Sequence, residues 1–130
     1  LITFIISFVT LFILIGFSGG AAIAGLISSS RNDVRMLITV AGNLDTNKWT
    51  TLHNISKLDA SLNPADFTKE LESIEQYHLI GSNDEIIPKD IFLSYFSKFD
   101  KKDKIHVLYY DQNHNCCWRN PFKKLLLEIK

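Results

Sequence analysis

Three residue types that together perform nucleophilic catalysis occupy informative positions in this chain of 130 residues. Ser18 lies in Gly16-Phe17-Ser18-Gly19-Gly20, a G-x-S-x-G string. A serine at the apex of a tight turn from strand to helix needs small neighbours, because only they let the two elements come that close. Asp84 lies in Gly81-Ser82-Asn83-Asp84-Glu85-Ile86-Ile87-Pro88, and His114 in the polar stretch from Asp111 to Asn115. A serine hydroxyl is a weak nucleophile until a base stands within hydrogen-bond reach, and an imidazole oriented by a carboxylate is such a base. Ser18, Asp84 and His114 are therefore the candidate nucleophile, acid and base, with the Gly19 backbone N–H as an oxyanion donor. Glu85 is a rival acid, and His53, His78 and His106 are rival bases. His78 and His106 fall inside predicted strands. His53 falls in an irregular stretch with Asp45, Trp49 and Asp59. Phe17, Trp49 and His53 are the candidate substrate contacts.

The elements that must position these residues follow from the apolar pattern. Leu11 to Ile15 reads as a strand buried on both faces, and Ala21 to Ile27 as a small-residue helix packed on a sheet. Val34 to Val40 is a second strand, ended by Ala41-Gly42-Asn43. Leu44 to Asp66 is an excursion with short helices, followed by a helical turn or two from Phe67 to Ser73. Ile74 to Ile80 is a third strand. Pro88 opens a helix running to about Phe99. Ile105 to Tyr110 is a fourth strand, and Phe122 to Ile129 a closing amphipathic helix. Alternating strands and helices imply right-handed crossovers and a parallel sheet, in which functional residues collect past the carboxyl ends of strands. Ser18, Asp84 and His114 all occupy that position, in the order Ser, Asp, His. Two strand–helix units separate the first pair and one unit the second.

Composition excludes some classes. The 14 basic and 14 acidic residues cancel, which argues against a nucleic-acid binder, since such a protein normally carries a basic face to meet phosphates. Lys98 to Lys104, interspersed with Asp100 and Asp103, reads as a solvated loop. Cys116 and Cys117 are adjacent, which gives neither a zinc spacing nor a disulfide framework, so they read as buried thiols under Trp118. His53 with Asp45 matches no metal-ligand spacing, and no metal or cofactor is expected. No charged residue precedes Arg31. Read alone, the uncharged stretch to Ile27 is long enough to cross a bilayer, which takes roughly 20 apolar residues. Its Gly16 and Gly20 have the spacing of close-packed membrane helices. Strand–turn–helix and membrane helix both stay open at this point.

Several strings taken together resemble the C-terminal half of an α/β-hydrolase, from the nucleophile strand onward, and bacterial hydrolase-like proteins in particular. They are Gly16 to Ala24, Val40-Ala41-Gly42-Asn43-Leu44-Asp45 with Trp49, Ser61-Leu62-Asn63-Pro64, Gly81 to Pro88, and His114-Asn115-Cys116-Cys117-Trp118. The resemblance implies an α/β fold with a mostly parallel sheet of about four strands flanked by helices. It spans residues 1–130 as one partial domain, with an apolar segment over 1–15 carrying the nucleophile strand and a cap-like excursion over 44–66. It implies a serine hydrolase (esterase, lipase or peptidase-like) acting through Ser18, Asp84 and His114, and the mixed polarity of the excursion, with Trp49, His53 and Phe67, suggests a small-molecule polar or peptide-like substrate. An intact hydrolase of this fold has strands before the nucleophile strand and takes its second oxyanion donor from an early loop. The resemblance thus implies a truncated domain, inactive unless a longer chain or a complementing N-terminal chain supplies the rest. The alternative is a non-catalytic, membrane-anchored or vestigial domain with residues 1–27 as a transmembrane helix and Arg31 and Arg35 at the interface. A bacterial envelope or cytoplasmic location fits one reading or the other.

Overall fold

The computed structural model describes residues 10–129. Strands and helices alternate as β1 (Phe12–Phe17), α1 (Gly19–Ser30), β2 (Val34–Val40), α2 (Thr46–Leu52), α3 (Thr68–Leu71), β3 (Glu75–Gly81), α4 (Lys89–Ser97), β4 (Ile105–Tyr110) and α5 (Arg119–Glu128). A 3-10 turn over Pro64–Asp66 lies between α2 and α3. Among the described residues all pairings are parallel, in the order β1-β2-β3-β4, so β2, β3 and β4 each lie beside the preceding strand. This is the α/β architecture that the alternating pattern predicts. β2 and β4 have the bounds read from the sequence, and the remaining elements shift by a few residues.

Burial explains the order of the sheet. Six of the seven side chains of β2 are buried, all except Arg35, as a strand covered on both faces requires. On one face Leu37 packs with Ala21 and Ala24 of α1, Leu71 of α3 and Phe92 and Tyr95 of α4. On the other, Met36, Ile38, Val40 and Leu79 pack beneath Leu125 of α5. α1 presents Ala21, Ala24, Gly25 and Ser28 inward, an i, i+3, i+4, i+7 stripe of small residues that brings its axis close to the strands. Among the described residues β1 pairs with β2 alone, and its Phe12, Ile13, Ile15 and Phe17 are exposed.

The transmembrane reading of residues 1–27 is corrected here for its described part. Phe12–Phe17 is hydrogen-bonded to β2 as a strand, and the helix that follows has only 12 residues. Among the described residues no helix is long and apolar enough to cross a membrane. Residues 1–9 of that reading, and of the 1–15 apolar segment, lie outside the described residues. An apolar edge strand joined to a small-residue helix has the composition of a membrane span, and the pairing with β2 separates the two.

The excursion is pinned by one carboxylate. Asp45 is buried and caps α2 by accepting from Lys48 N at 3.2 Å. It also accepts from Asn63 Nδ2 at 2.9 Å, Ser94 Oγ at 2.6 Å and Lys98 Nζ at 3.0 Å. Asn63 in turn caps the 3-10 turn and accepts from Thr46 N. Burial opposes the charge of Asp45, but these donors outweigh it and hold the carboxyl down at about 2. Lys98, read as part of a solvated loop, is thus the charge partner that joins α4 to α2.

A second buried network lies in the sheet. Gln76 Nε2 donates to Leu71 O at 2.8 Å, which leaves Oε1 to accept from Tyr95 Oη at 2.6 Å and from His78 Nε2 at 3.0 Å. His78 therefore carries its proton on Nε2, and its Nδ1 accepts from Thr39 Oγ1 at 2.7 Å. Burial, with the charge of His106 adding to it, pushes the imidazole down to about 3. The unfolded chain takes up a proton near pH 6.5 and the folded one does not until about pH 3. The stability from this group is complete above pH 6.5 and is lost as pH falls through that window. Urea unfolding at pH 7 and pH 5 should show the wild type weaker at pH 5 by about 1–2 kcal/mol from this group, and His78→Leu should lack that component.

Candidate functional site

The end of β1, the start of α1 and the end of β2 meet at Ser18. Its backbone adopts φ 53°, ψ −120°, a conformation that costs an L-residue on the order of 1–3 kcal/mol. Three backbone hydrogen bonds enforce it. Ser18 N donates to Val40 O at 3.0 Å, and Ser18 O accepts from Ala21 N at 3.1 Å and Asn43 N at 3.0 Å. Gly16 shows why the string needs glycine. A Cβ there would lie 2.5 Å from Ala21 Cα and Gly20 O, both backbone atoms that cannot give way. Gly19 opens α1, so its N–H is among the donors that a first helical turn leaves free.

Asp84 and His114 come together on neighbouring loops. The loop after β4 crosses the end of β3 at Gly81, where a Cβ would meet Gln112 O at 2.5 Å. Ser82 N donates to Tyr110 O and Asn83 N to Gln112 O, which stitches the two loops together. Asp84 is 5% exposed and His114 8%. His114 Nδ1 donates to Asp84 Oδ2 at 2.8 Å, while Asp84 Oδ1 accepts from Ile86 N at 2.9 Å and Ile87 N at 2.8 Å. The carboxylate is thus fully satisfied and fixes the imidazole tautomer, leaving Nε2 as the free lone pair. Glu85 is exposed and makes no such contact. Phe17, next to Ser18, lies with its ring centroid 5.2 Å from that of His114.

The other candidates separate. Trp49 Nε1 and His53 Nε2 both donate to Ile86 O, at 3.0 and 2.7 Å, so α2 grips the loop that carries Asp84. His53 is exposed and does not meet Asp45, which the buried network holds. His78 and His106 lie in β3 and β4. Among the described residues no group of three or more His, Cys, Asp or Glu could hold a metal ion. The reading of Cys116 and Cys117 as buried thiols is corrected. Both are exposed and joined to each other. Asn113 Oδ1 accepts from Asn115 N and Cys116 N, and Gln112 Oε1 from Cys117 N, so this loop curls outward. Trp118 packs edge-on against Tyr110 and donates its indole N–H to His114 O at 3.0 Å.

A cleft of about 580 Å³ opens beside Ser18 and Gly19. Its walls are mostly apolar, from Ile23 and Leu26 of α1, Leu58 and Leu62 of the excursion, and Ile86 and Ile87 of the loop that carries Asp84, and Trp49 completes them. Asn43 lines it too. Sequence reasoning missed Asn43, Leu58 and Leu62 as cleft residues, since their spacing has no period and only the tertiary fold gathers them.

A family model described as serine hydrolase, FSH1, matches residues 9–124. No curated protein matches the sequence. Among solved structures, the chain is similar to a monoacylglycerol lipase of Paleococcus ferrophilus, at 13% identity and TM-score 0.64, over 92% of this chain and 67% of the lipase. It is similar to an esterase of Pyrococcus furiosus at 14% identity and TM-score 0.68, over 92% of this chain and 51% of the esterase. A puromycin-hydrolyzing peptidase of Mycobacterium tuberculosis matches at 16% identity and TM-score 0.64, over 79% of this chain and 18% of the peptidase. At these identities the likeness is one of fold. The chain spans about two thirds of the lipase and half of the esterase.

Gly16→Ala should destabilise the fold by about 3 kcal/mol, because its methyl collides with backbone. Gly20→Ala, whose Cβ meets nothing within 4 Å, should be neutral or stabilising by about 0.5–1 kcal/mol. Urea midpoints of the two variants check this contrast.

Proposed function

Because the chain belongs to the FSH1 serine hydrolase family, we propose that it supplies the nucleophile, acid and base of an acyl-transfer site made of Ser18, Asp84 and His114. The observation that carries this reading is the 2.8 Å bond from His114 Nδ1 to Asp84 Oδ2, made by loops next to a strained Ser18. In the reaction, Ser18 Oγ attacks the substrate carbonyl carbon as His114 Nε2 removes its proton. The carbonyl oxygen gains charge and the Gly19 N–H stabilises it. When the bond to the leaving group breaks, His114 returns the proton to that group and the acyl chain stays on Ser18. Water, deprotonated by the same imidazole, then releases the acid and restores the serine. Asp84, hydrogen-bonded to Nδ1, stabilises the imidazolium. Phe17 steadies the ring, and Trp49 and His53 steady the acid loop through Ile86 O.

The apolar walls of the cleft support an ester with an apolar acyl chain over the small polar or peptide-like substrate that the mixed excursion sequence suggests. β1 pairs only with β2 among the described residues and exposes apolar side chains. Together with the partial coverage of the longer relatives, this supports a complementing N-terminal segment, in the same or another chain, that covers that edge and brings the second oxyanion donor.

Fluorophosphonate labelling of a native lysate, with the labelled peptide identified by mass, tests the assignment. The label should fall on Ser18 and vanish in Ser18→Ala, and the mass of the band reports the length of the working chain. Asp84→Asn should slow labelling by a factor on the order of 10⁴, through loss of tautomer control. A soluble, folded protein that takes no label would make Ser18, Asp84 and His114 a relic. His53→Ala should slow labelling about fivefold by leaving Trp49 as the single side-chain donor to the Ile86 carbonyl, and His53→Gln should retain most of the rate.

A further inference from the structure

The Val40-Ala41-Gly42-Asn43 turn spends strain on one side chain that no step above uses. Ala41, a residue with a Cβ, sits at φ 47°, in the left-handed region. At Gly42 a Cβ would stand 2.7 Å from Ala21 Cβ, so only glycine lets this turn lie against the start of α1. Asn43 N donates to Ser18 O, which ties the residue to the apex of the nucleophile turn. The side chain so held is 7% exposed and lines the cleft beside Ser18, yet its Oδ1 has no hydrogen-bond partner. Among the described residues it is the only buried side-chain polar atom left unpartnered. Buried polar atoms are nearly always bonded, and backbone strain persists where surrounding structure enforces it for a purpose. Ile23, Leu26, Leu58 and Ile87 in the cleft walls carry no side-chain donor, and the hydroxyls of Ser18, Thr46 and Ser61 that also line the cleft make no hydrogen bond to Asn43 Oδ1.

We propose that Asn43 is a specificity-determining residue, whose carboxamide oxygen accepts a hydrogen bond from a hydroxyl or N–H carried by the substrate's acyl part close to the reacting carbonyl. This deepens, and rests on, the reading of the cleft as an acyl site. The ligand class is an apolar acyl group with one donor near its carbonyl, a hydroxyacyl ester being the simplest member. The carboxamide turns about a broad torsion, so a modest rotation swings the oxygen toward an arriving donor. A plain acyl chain fills the same apolar walls and leaves the oxygen unpaired, which is how a buried polar group discriminates.

The test compares 3-hydroxyhexanamide with hexanamide, two ligands of equal chain length that need no turnover, by titrating tryptophan fluorescence, to which Trp49 in the cleft wall contributes. Wild type should bind the hydroxyamide about tenfold more tightly. In Asn43→Leu, checked for folding by circular dichroism, that preference should vanish while hexanamide binds as well as before or better. The wild-type comparison stands even where the variant fails to fold. Equal binding of the two by wild type, binding of neither, or a preference that survives in a folded Asn43→Leu overturns the proposal. The same pair as p-nitrophenyl esters separates this inference from the hydrolase reading. An intact binding preference with no ester cleavage and no label on Ser18 would sink that reading and leave the Asn43 subsite standing.

Discussion

The backbone of a single residue, Ser18, knots the molecule together. Its N–H is tied to the end of β2, and its carbonyl to the first turn of α1 and to the turn after β2. These bonds hold a left-handed backbone that an isolated strand–helix junction would relax, and Gly16 makes room for it. The cleft opens where these elements diverge from the knot. α1 supplies one wall, the turn after β2 another, and the excursion and the Asp84 loop the rest. Moving Ser18 would move all of them.

The molecule uses two buried aspartates in opposite ways. Asp45 gives both oxygens to four donors from three segments and has no capacity left, so its charge serves only to join α2, the 3-10 turn and α4. Asp84 gives one oxygen to two backbone N–H groups and keeps the other for an imidazole. Similar burial thus yields a structural rivet in one case and a group that orients an imidazole in the other. The partners, supplied by chain direction and loop length, make the difference.

How much of this was legible in the sequence depended on the range of the interaction. β2 and β4 were legible to the residue, since their runs of apolar and β-branched side chains end at unambiguous breaks. The order of Ser18, Asp84 and His114 past strand ends was legible because parallel sheets have a functional rim. What the sequence could not convey is contact across the fold. Nothing local announces that Trp49 and His53 both reach Ile86 O, that Lys98 belongs to Asp45, or that the Asn43 oxygen ends up alone. The cysteines misled because thiols are usually buried, whereas here the side chains of Gln112 and Asn113 capture the backbone of the loop and turn it outward. Residues 12–27 admitted a membrane reading because a strand bonded to β2 and a span bonded to itself draw on the same residue types.

The strand order β1-β2-β3-β4 also has a consequence for biosynthesis. In many parallel sheets a later strand must insert between two earlier ones, so pairing waits for distant sequence. Here β2, β3 and β4 each dock on the strand synthesised just before, after a single crossover. Each strand–helix unit leaving the ribosome meets a finished edge, and the growing sheet is extended like a row of tiles. The loop-closure entropy of each addition is set by one unit and does not grow with the chain, which favours stepwise folding during translation.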